Sequence, residues 1–176
     1  MKLFTSLLLF CGCACAAEWI EPPAFSSKGY RVPFPDYVPS FPNDHGAHRE
    51  YGLEWWYWVG HLKTESGEKE YGFQSTVFRV AGDPNESNNS ESNAFGSRQL
   101  FLAHSALSNL STRQYLHSER VMREGWQARA SMDTLGLQVA GISASIPPNG
   151  KSHTLITKYP GGGKLELELT PTQPLT

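Results

Sequence analysis

Residues 41–62 read FPNDHGAHREYGLEWWYWVGHL and contain three of the five tryptophans of this 176-residue chain. In a β-strand, successive side chains point to opposite faces. One face would carry Glu54, Trp56 and Trp58, and the other Trp55, Tyr57, Val59 and His61. Both faces are largely apolar, so we expect both to be covered, as in a barrel wall with core or ligand inside and protein outside. A helix would spread the four rings around its circumference, so the stretch predicts a strand.

The remaining chain supplies further strand-like segments separated by turns. A turn at 65–68 is followed by predicted strands over 70–80, 98–110, 114–121, 135–146, 152–159 and 165–169. Residues 122–132 predict a short helical or irregular excursion, and the polar stretch 82–96 predicts a surface loop. Short strands joined by Gly, Pro and Asn turns indicate an all-β protein, either an antiparallel barrel or a sandwich.

The N-terminal residues predict export. Residues 1–16 combine Lys2, an apolar centre and a small-residue cleavage site, which is typical of a secretory signal peptide. All three cysteines lie in this part, so we expect a secreted or periplasmic domain held by packing without disulfides. Residues 10–13 also resemble a lipoprotein signal, and lipidation of Cys13 would tether the protein to a membrane. The proline-rich segment 17–40 predicts an extended strap, and 41–176 the folded domain.

Several classes of function are excluded by composition and motifs. The formal net charge is −2 and basic residues are scattered, so nucleic-acid binding is not predicted. No Gly-x-Ser-x-Gly elbow occurs and no cysteine nucleophile survives processing, which argues against covalent hydrolase chemistry. Asp44, His45 and His48 are close in sequence, but no helix aims both rings inward. We therefore expect hydrogen-bonded imidazoles that hold the loop, with no metal and no cofactor.

Glu54, beside Trp55 and Trp56, is the acid of most interest. If it faced an apolar interior it would stay protonated near neutrality, and it could then protonate an alkene while aromatic faces stabilise the resulting cation. The alternative is an ion pair with an arginine such as Arg79 or Arg98 that holds two strands together. Two histidines, His104 and His117, could line a cavity or be ordinary core or surface residues.

Four blocks of sequence carry a family resemblance: FPNDHGAHREYGLEWWYWVGHL, YGFQSTVFRV, SRQLFLAHSALSNL and YLHSERV. Together they resemble the AttH-like, hydroxyneurosporene synthase (carotenoid 1,2-hydratase) family over about residues 41–171. The resemblance implies a lipocalin-like antiparallel β-barrel. Family members have two such domains side by side, so this chain resembles the first domain with the second absent. The carotenoid branch adds water to a terminal carbon–carbon double bond, and the exported branch, which this chain resembles more closely, is associated with ABC-transporter components.

Three hypotheses for function follow. The first is an exported lipocalin-like domain that binds a lipophilic molecule, isoprenoid- or lipid-like, in an aromatic-lined pocket. The candidate ligand-binding residues are Trp55, Trp56, Tyr57, Trp58, Gln74, Phe78 and His104. The second is a cofactor-independent hydratase or isomerase of an isoprenoid alkene, with Glu54 as the catalytic proton donor. The third is an accessory protein that docks an ABC transporter through an exposed apolar surface.

Overall fold

The computed structural model describes residues 20–82, 99–147, 150 and 152–173. Within them the strands are β1 (Leu53–Lys63), β2 (Glu70–Val80), β3 (Leu100–Asn109), β4 (Gln114–Arg123), β5 (Ala128–Ala130), β6 (Gly136–Val139), β7 (Ile142–Ser145), β8 (His153–Lys158) and β9 (Lys164–Leu169). Short 3₁₀ turns lie at Asn43–His45 and Pro160–Gly162. All strand pairs are antiparallel, in two sheets of order β1-β2-β3-β4 and β5-β6-β7-β8-β9. The prediction of an all-β antiparallel protein is confirmed.

The first sheet is a meander of four long strands rich in β-branched and aromatic residues. β1 and β2 form the predicted hairpin, and Gly67 at a φ of 74° allows the chain to reverse between them. Its register aligns Trp56 with Val77, and Val77 with Ala103 of β3. β3 and β4 also form where the sequence predicts them, although β4 continues two residues further, to Arg123.

The second sheet departs from two expectations. Residues 135–146, for which the pattern predicts one strand, form the β6–β7 hairpin around Ala140 and Gly141. Both turn residues have a positive φ, 49° and 94°, as a type I′ hairpin turn requires. Alanine rarely adopts such a φ, so composition carries little turn signal here. The helix considered for 122–132 does not form, because β4 occupies its start and β5 its later part.

The core lies between the two sheets. Val77 and Phe101 of the first sheet are fully buried against Leu137, Val139 and Leu155 of the second. The same layer contains a polar contact: the Oγ of Ser75 and the Oγ1 of Thr157 lie 2.7 Å apart, and both residues are fully buried. Each hydroxyl therefore satisfies the other across the interface between the sheets.

The N-terminal strap is hydrogen-bonded to the chain just before β1. Residues 20–40 form none of these strands, but they are not extended throughout, because the chain reverses at 26–30 between Phe25 and Arg31, which form an antiparallel bridge. The N–H of Arg31 donates to the Glu50 carbonyl at 2.9 Å. The expectation that both faces of β1 are covered is wrong, since Trp55, Tyr57 and Val59 are exposed.

The proposed signal segment, the Cys13 tether, Arg98 and most of the predicted 82–96 loop lie outside the described residues. None of the described helical turns has the length and apolar character needed to cross a bilayer.

Candidate functional site

The structure divides the predicted ligand-binding residues between the two faces of the first sheet. Trp56 and Trp58 lie on the inner face, where they pack against the core. The other five lie on the outer face: Trp55, Tyr57, Gln74, Phe78 and His104. The expected single pocket lined by these seven residues is therefore not formed, because neighbouring positions of a strand project from opposite sides of the sheet.

Glu54 lies at the start of β1 on the inner face, directly opposite Arg79 of β2. The Nε of Arg79 donates to the Oε2 of Glu54 at 2.7 Å. The backbone N–H of His48 also donates to the same carboxylate, 3.0 Å from Oε1 and 3.1 Å from Oε2. Of the two roles considered for Glu54, the ion pair with Arg79 is thus present in the structure.

Arg79 is buried, with 1% of its surface exposed. Besides Glu54, its guanidinium donates to the carbonyl oxygens of His48 and Tyr51, at 2.7 and 2.8 Å, and to the Oε1 of Gln99 at 3.2 Å. A charge in such a position is tolerated only when it is paired and its N–H groups are satisfied. These bonds tie the 43–51 loop to the first sheet.

His48 extends the ion pair into a chain of charged groups. Its Nδ1 lies 3.0 Å from Glu54 Oε1, and its Nε2 lies 3.0 Å from Asp44 Oδ1. Desolvation acts to lower the pKa of His48, but the hydrogen bonds to Asp44 and Glu54 outweigh it, and the pKa is raised above 6.5. The arrangement favours the imidazolium form, which can donate from both ring nitrogens at once.

Asp44 ends this chain at the protein surface. The hydrogen bond from His48 lowers the pKa of Asp44 from 3.8 to about 2, with help from the Ser40 N–H and from Tyr37. The loop is held close to the second sheet by Ala47, whose N–H donates to Ser131 at 2.7 Å. We name Asp44, His48, Glu54 and Arg79 the charged network.

The charged network borders an open cavity of about 560 Å³ under the N-terminal strap. Phe34, Tyr37 and Tyr51 form its aromatic part. The carboxylates of Asp44 and Glu54 are both hydrogen-bonded to the imidazole of His48 rather than directed at a common point. No group of three or more His, Cys, Asp or Glu that could hold a metal occurs in the described part of the chain.

His45, the other histidine of the loop, has a different environment. Its ring contacts Phe41, with centroids 4.3 Å apart, and meets the edge of His153 at 5.1 Å. Desolvation lowers the pKa of His45, and the nearby His153 lowers it further. Its carbonyl accepts a 3.0 Å hydrogen bond from the indole of Trp56. Both loop histidines therefore hold structure, as the sequence predicts for this loop.

An apolar row crosses the outer face of the first sheet. The register aligns one residue from each strand, in the order Trp55, Phe78, Leu102 and Val121. Its two ends are open, since Trp55 is 54% and Val121 60% exposed. Strands lie about 4.8 Å apart, so the row spans roughly 14 Å. We call these four residues the apolar row.

The next row along the strands is more polar and consists of Tyr57, Thr76, His104 and Glu119. The His104 ring meets the edge of Phe78, with centroids 5.8 Å apart. Its Nε2 is buried and has no hydrogen-bond partner among the described residues, and the nearest carboxylate oxygen, of Glu119, is 3.7 Å away. One polar atom is thus left without a hydrogen bond beside the apolar row.

The sequence singles out Asp44, His48, Glu54 and Arg79, but of the apolar row it singles out only Trp55 and Phe78. Leu102 and Val121 belong to the apolar row, yet nothing in their own segments distinguishes them. Their role follows only from the register, which aligns them with Trp55 and Phe78. A strict two-residue alternation carried across paired hairpins would have indicated them.

Comparison with known proteins identifies a family and a solved relative. The family model described as AttH-like matches residues 33–176. A crystal structure described as that of a putative AttH from Nitrosomonas europaea is similar over 80% of this chain, with 29% sequence identity and a TM-score of 0.62. The chain spans only 40% of the length of that relative. No curated protein in the comparison matches this sequence.

Proposed function

This chain belongs to the AttH-like family, and from that premise we propose that its lipocalin-like domain binds a lipophilic small molecule, isoprenoid- or lipid-like, on the apolar row. The single observation that supports this is the exposure of Trp55 and Val121 at the two ends of a continuous apolar line. Isolated exposed apolar residues are ordinary, but a contiguous apolar patch marks a binding surface.

The gain from covering this row is large enough for binding. A tryptophan side chain buries about 150–250 Å², so covering the exposed half of Trp55 would contribute on the order of 2–3 kcal/mol. The rest of the row adds to this contribution. The neighbouring row, which carries the polar side chains of Tyr57 and His104, would orient a ligand that has a single hydrogen-bonding group.

The geometry favours binding over the hydratase or isomerase alternative. Glu54 lies on the inner face, whereas the apolar row lies on the outer face. Both of its oxygens already accept hydrogen bonds, from His48 and Arg79. To act as a proton donor, Glu54 would have to give up hydrogen bonds of the charged network. A ligand on the apolar row would also lie on the other side of the sheet from Glu54.

A second candidate function, docking of a protein, is favoured by the openness of the same face. Apolar patches on open sheet faces suit protein partners as well as small molecules. In this alternative the partner would be a component of an ABC transporter. Both candidate functions assume export through a signal peptide at residues 1–16, with or without a lipid tether at Cys13. The mass of the mature protein recovered from its host would test the cleavage and the tether.

The test uses N-phenyl-1-naphthylamine, a neutral lipophilic fluorophore, and the full chain. We expect Trp55→Ala to weaken binding of the fluorophore at least tenfold, because it removes the largest exposed surface of the apolar row. Tyr115→Ala is the matched control, since Tyr115 is 61% exposed on the same face of β4 but outside the row. Equal affinity of the two variants for the fluorophore would refute ligand binding on the row.

A further inference from the structure

An open groove of about 660 Å³ lies where the end of β4 meets the second sheet. Met122 and Ala140, both partly exposed, form its apolar floor, and Trp126, 78% exposed, lies at its rim. Two cationic side chains, Arg120 and Lys158, also line it. The volume is within the range of small-molecule sites.

The charges of this groove are all of one sign. No carboxylate is among the described residues that line it, and neither Arg120 nor Lys158 forms an ion pair with a described residue. The carboxylates nearest along β4 point elsewhere: Glu119 projects from the outer face toward His104, and Glu124 pairs with Arg49. A ligand with an anionic group would therefore meet two cations without displacing a protein carboxylate.

The apolar part of the groove selects among anions. Val121, Met122 and Ala140 offer apolar surface, which suits a hydrocarbon chain, and the exposed indole of Trp126 can cover the chain at the rim. The guanidinium of Arg120 can bind a carboxylate or phosphate in a bidentate manner, and Lys158 can add a second charge-assisted hydrogen bond. Inorganic phosphate would satisfy the cations but leave the floor uncovered.

We propose that this groove binds the head group and adjoining chain of an anionic amphiphile, such as a fatty carboxylate or an alkyl phosphate. The groove goes beyond the proposed function, because its ligand needs an anionic group and makes no contact with Trp55. Only Val121 is shared, since it ends the apolar row and also lines the groove.

Calorimetric titration of the full chain with decanoate, decyl phosphate and 1-decanol tests the proposal, at concentrations below micelle formation. We expect the anions to bind at least tenfold more tightly than 1-decanol, and the double variant Arg120→Gln/Lys158→Gln to lose that preference. The control is Lys63→Gln/Lys164→Gln, which removes two positive charges from lysines paired with Glu70 and Glu166. Thermal unfolding of both double variants confirms that they are folded.

The outcomes are distinguishable. Preference for decanoate indicates a carboxylate ligand and preference for decyl phosphate a phosphate ligand, and either supports the groove. Equal binding of 1-decanol and the anions, or full retention of anion binding by Arg120→Gln/Lys158→Gln, would overturn it. Tighter binding of adenosine monophosphate than of decanoate would also overturn it, in favour of a nucleotide. Trp55→Ala should leave decanoate affinity unchanged, so a failure on the apolar row would not be mistaken for a failure here.

Discussion

The two faces of the first sheet distribute polarity in opposite senses. The inner face buries an arginine, Arg79, and a serine, Ser75, whereas the outer face exposes Trp55 and Tyr57 to solvent. Both buried groups have a partner: Arg79 pairs with Glu54 across a strand, and Ser75 with Thr157 across the two sheets. Hydrophobicity alone would therefore assign the faces wrongly, and the satisfaction of hydrogen bonds decides which residues can be buried.

The largest expected effect on this comparison comes from Arg79→Met. Methionine fills part of the volume but leaves Glu54 and the carbonyls of His48 and Tyr51 without their donor. Removing one partner of a buried pair costs about 3–5 kcal/mol, so the free energy of unfolding in urea should fall by about that amount. Arg123→Met, at an exposed position at the end of β4, should change it by less than about 0.5 kcal/mol. Similar values for the two variants would contradict the account of the inner face.

A smaller effect separates adjacent tryptophans. Trp56→Ala removes a ring packed against the core and a hydrogen bond to the His45 carbonyl, so we expect a loss of about 3 kcal/mol in unfolding free energy. Trp55→Ala removes an exposed ring and should cost less than about 1 kcal/mol. Chemical unfolding of the pair measures the difference. If Trp55→Ala were the more destabilising, the outer face would be a structural surface rather than a binding one.

The smallest effect concerns pH. His48 has a raised pKa, so its contribution to stability is fully present below 6.5 and is lost as pH rises through the raised value. The contribution of Asp44 is present above 3.8 and is lost as pH falls toward about 2. The difference in unfolding free energy between the wild type and His48→Gln should therefore be largest between these limits, on the order of 1 kcal/mol.

That difference should be smaller in alkaline solution. Taking the difference with His48→Gln cancels the opposite contributions of His45 and His153, whose pKa values are lowered and which disfavour folding as pH falls. His117→Gln is the control, because His117 is exposed on the outer face. A pH-independent difference for His48→Gln would mean that its hydrogen bonds do not depend on its charge.

The sequence predicts most of the fold and part of the site, for identifiable reasons. β2 forms at 70–80, where the sequence predicts it, because the turn at 65–68 marks its start and the polar stretch from residue 82 marks its end. The β6–β7 hairpin is missed because its turn uses Ala140 at a positive φ. The pairing of Glu54 with Arg79 is anticipated as one of two alternatives, but the choice depends on the register between strands, which no local pattern specifies.

The hydroxyl pair of Ser75 and Thr157 has a consequence for the uniqueness of the fold. Apolar side chains pack acceptably in several relative positions, so apolar packing alone would allow one sheet to shift relative to the other. Any such shift would leave two buried hydroxyls unsatisfied, which is costly for each. The pair thus fixes the position of the two sheets relative to each other. It adds little net free energy to the native arrangement and chiefly penalises misaligned competitors.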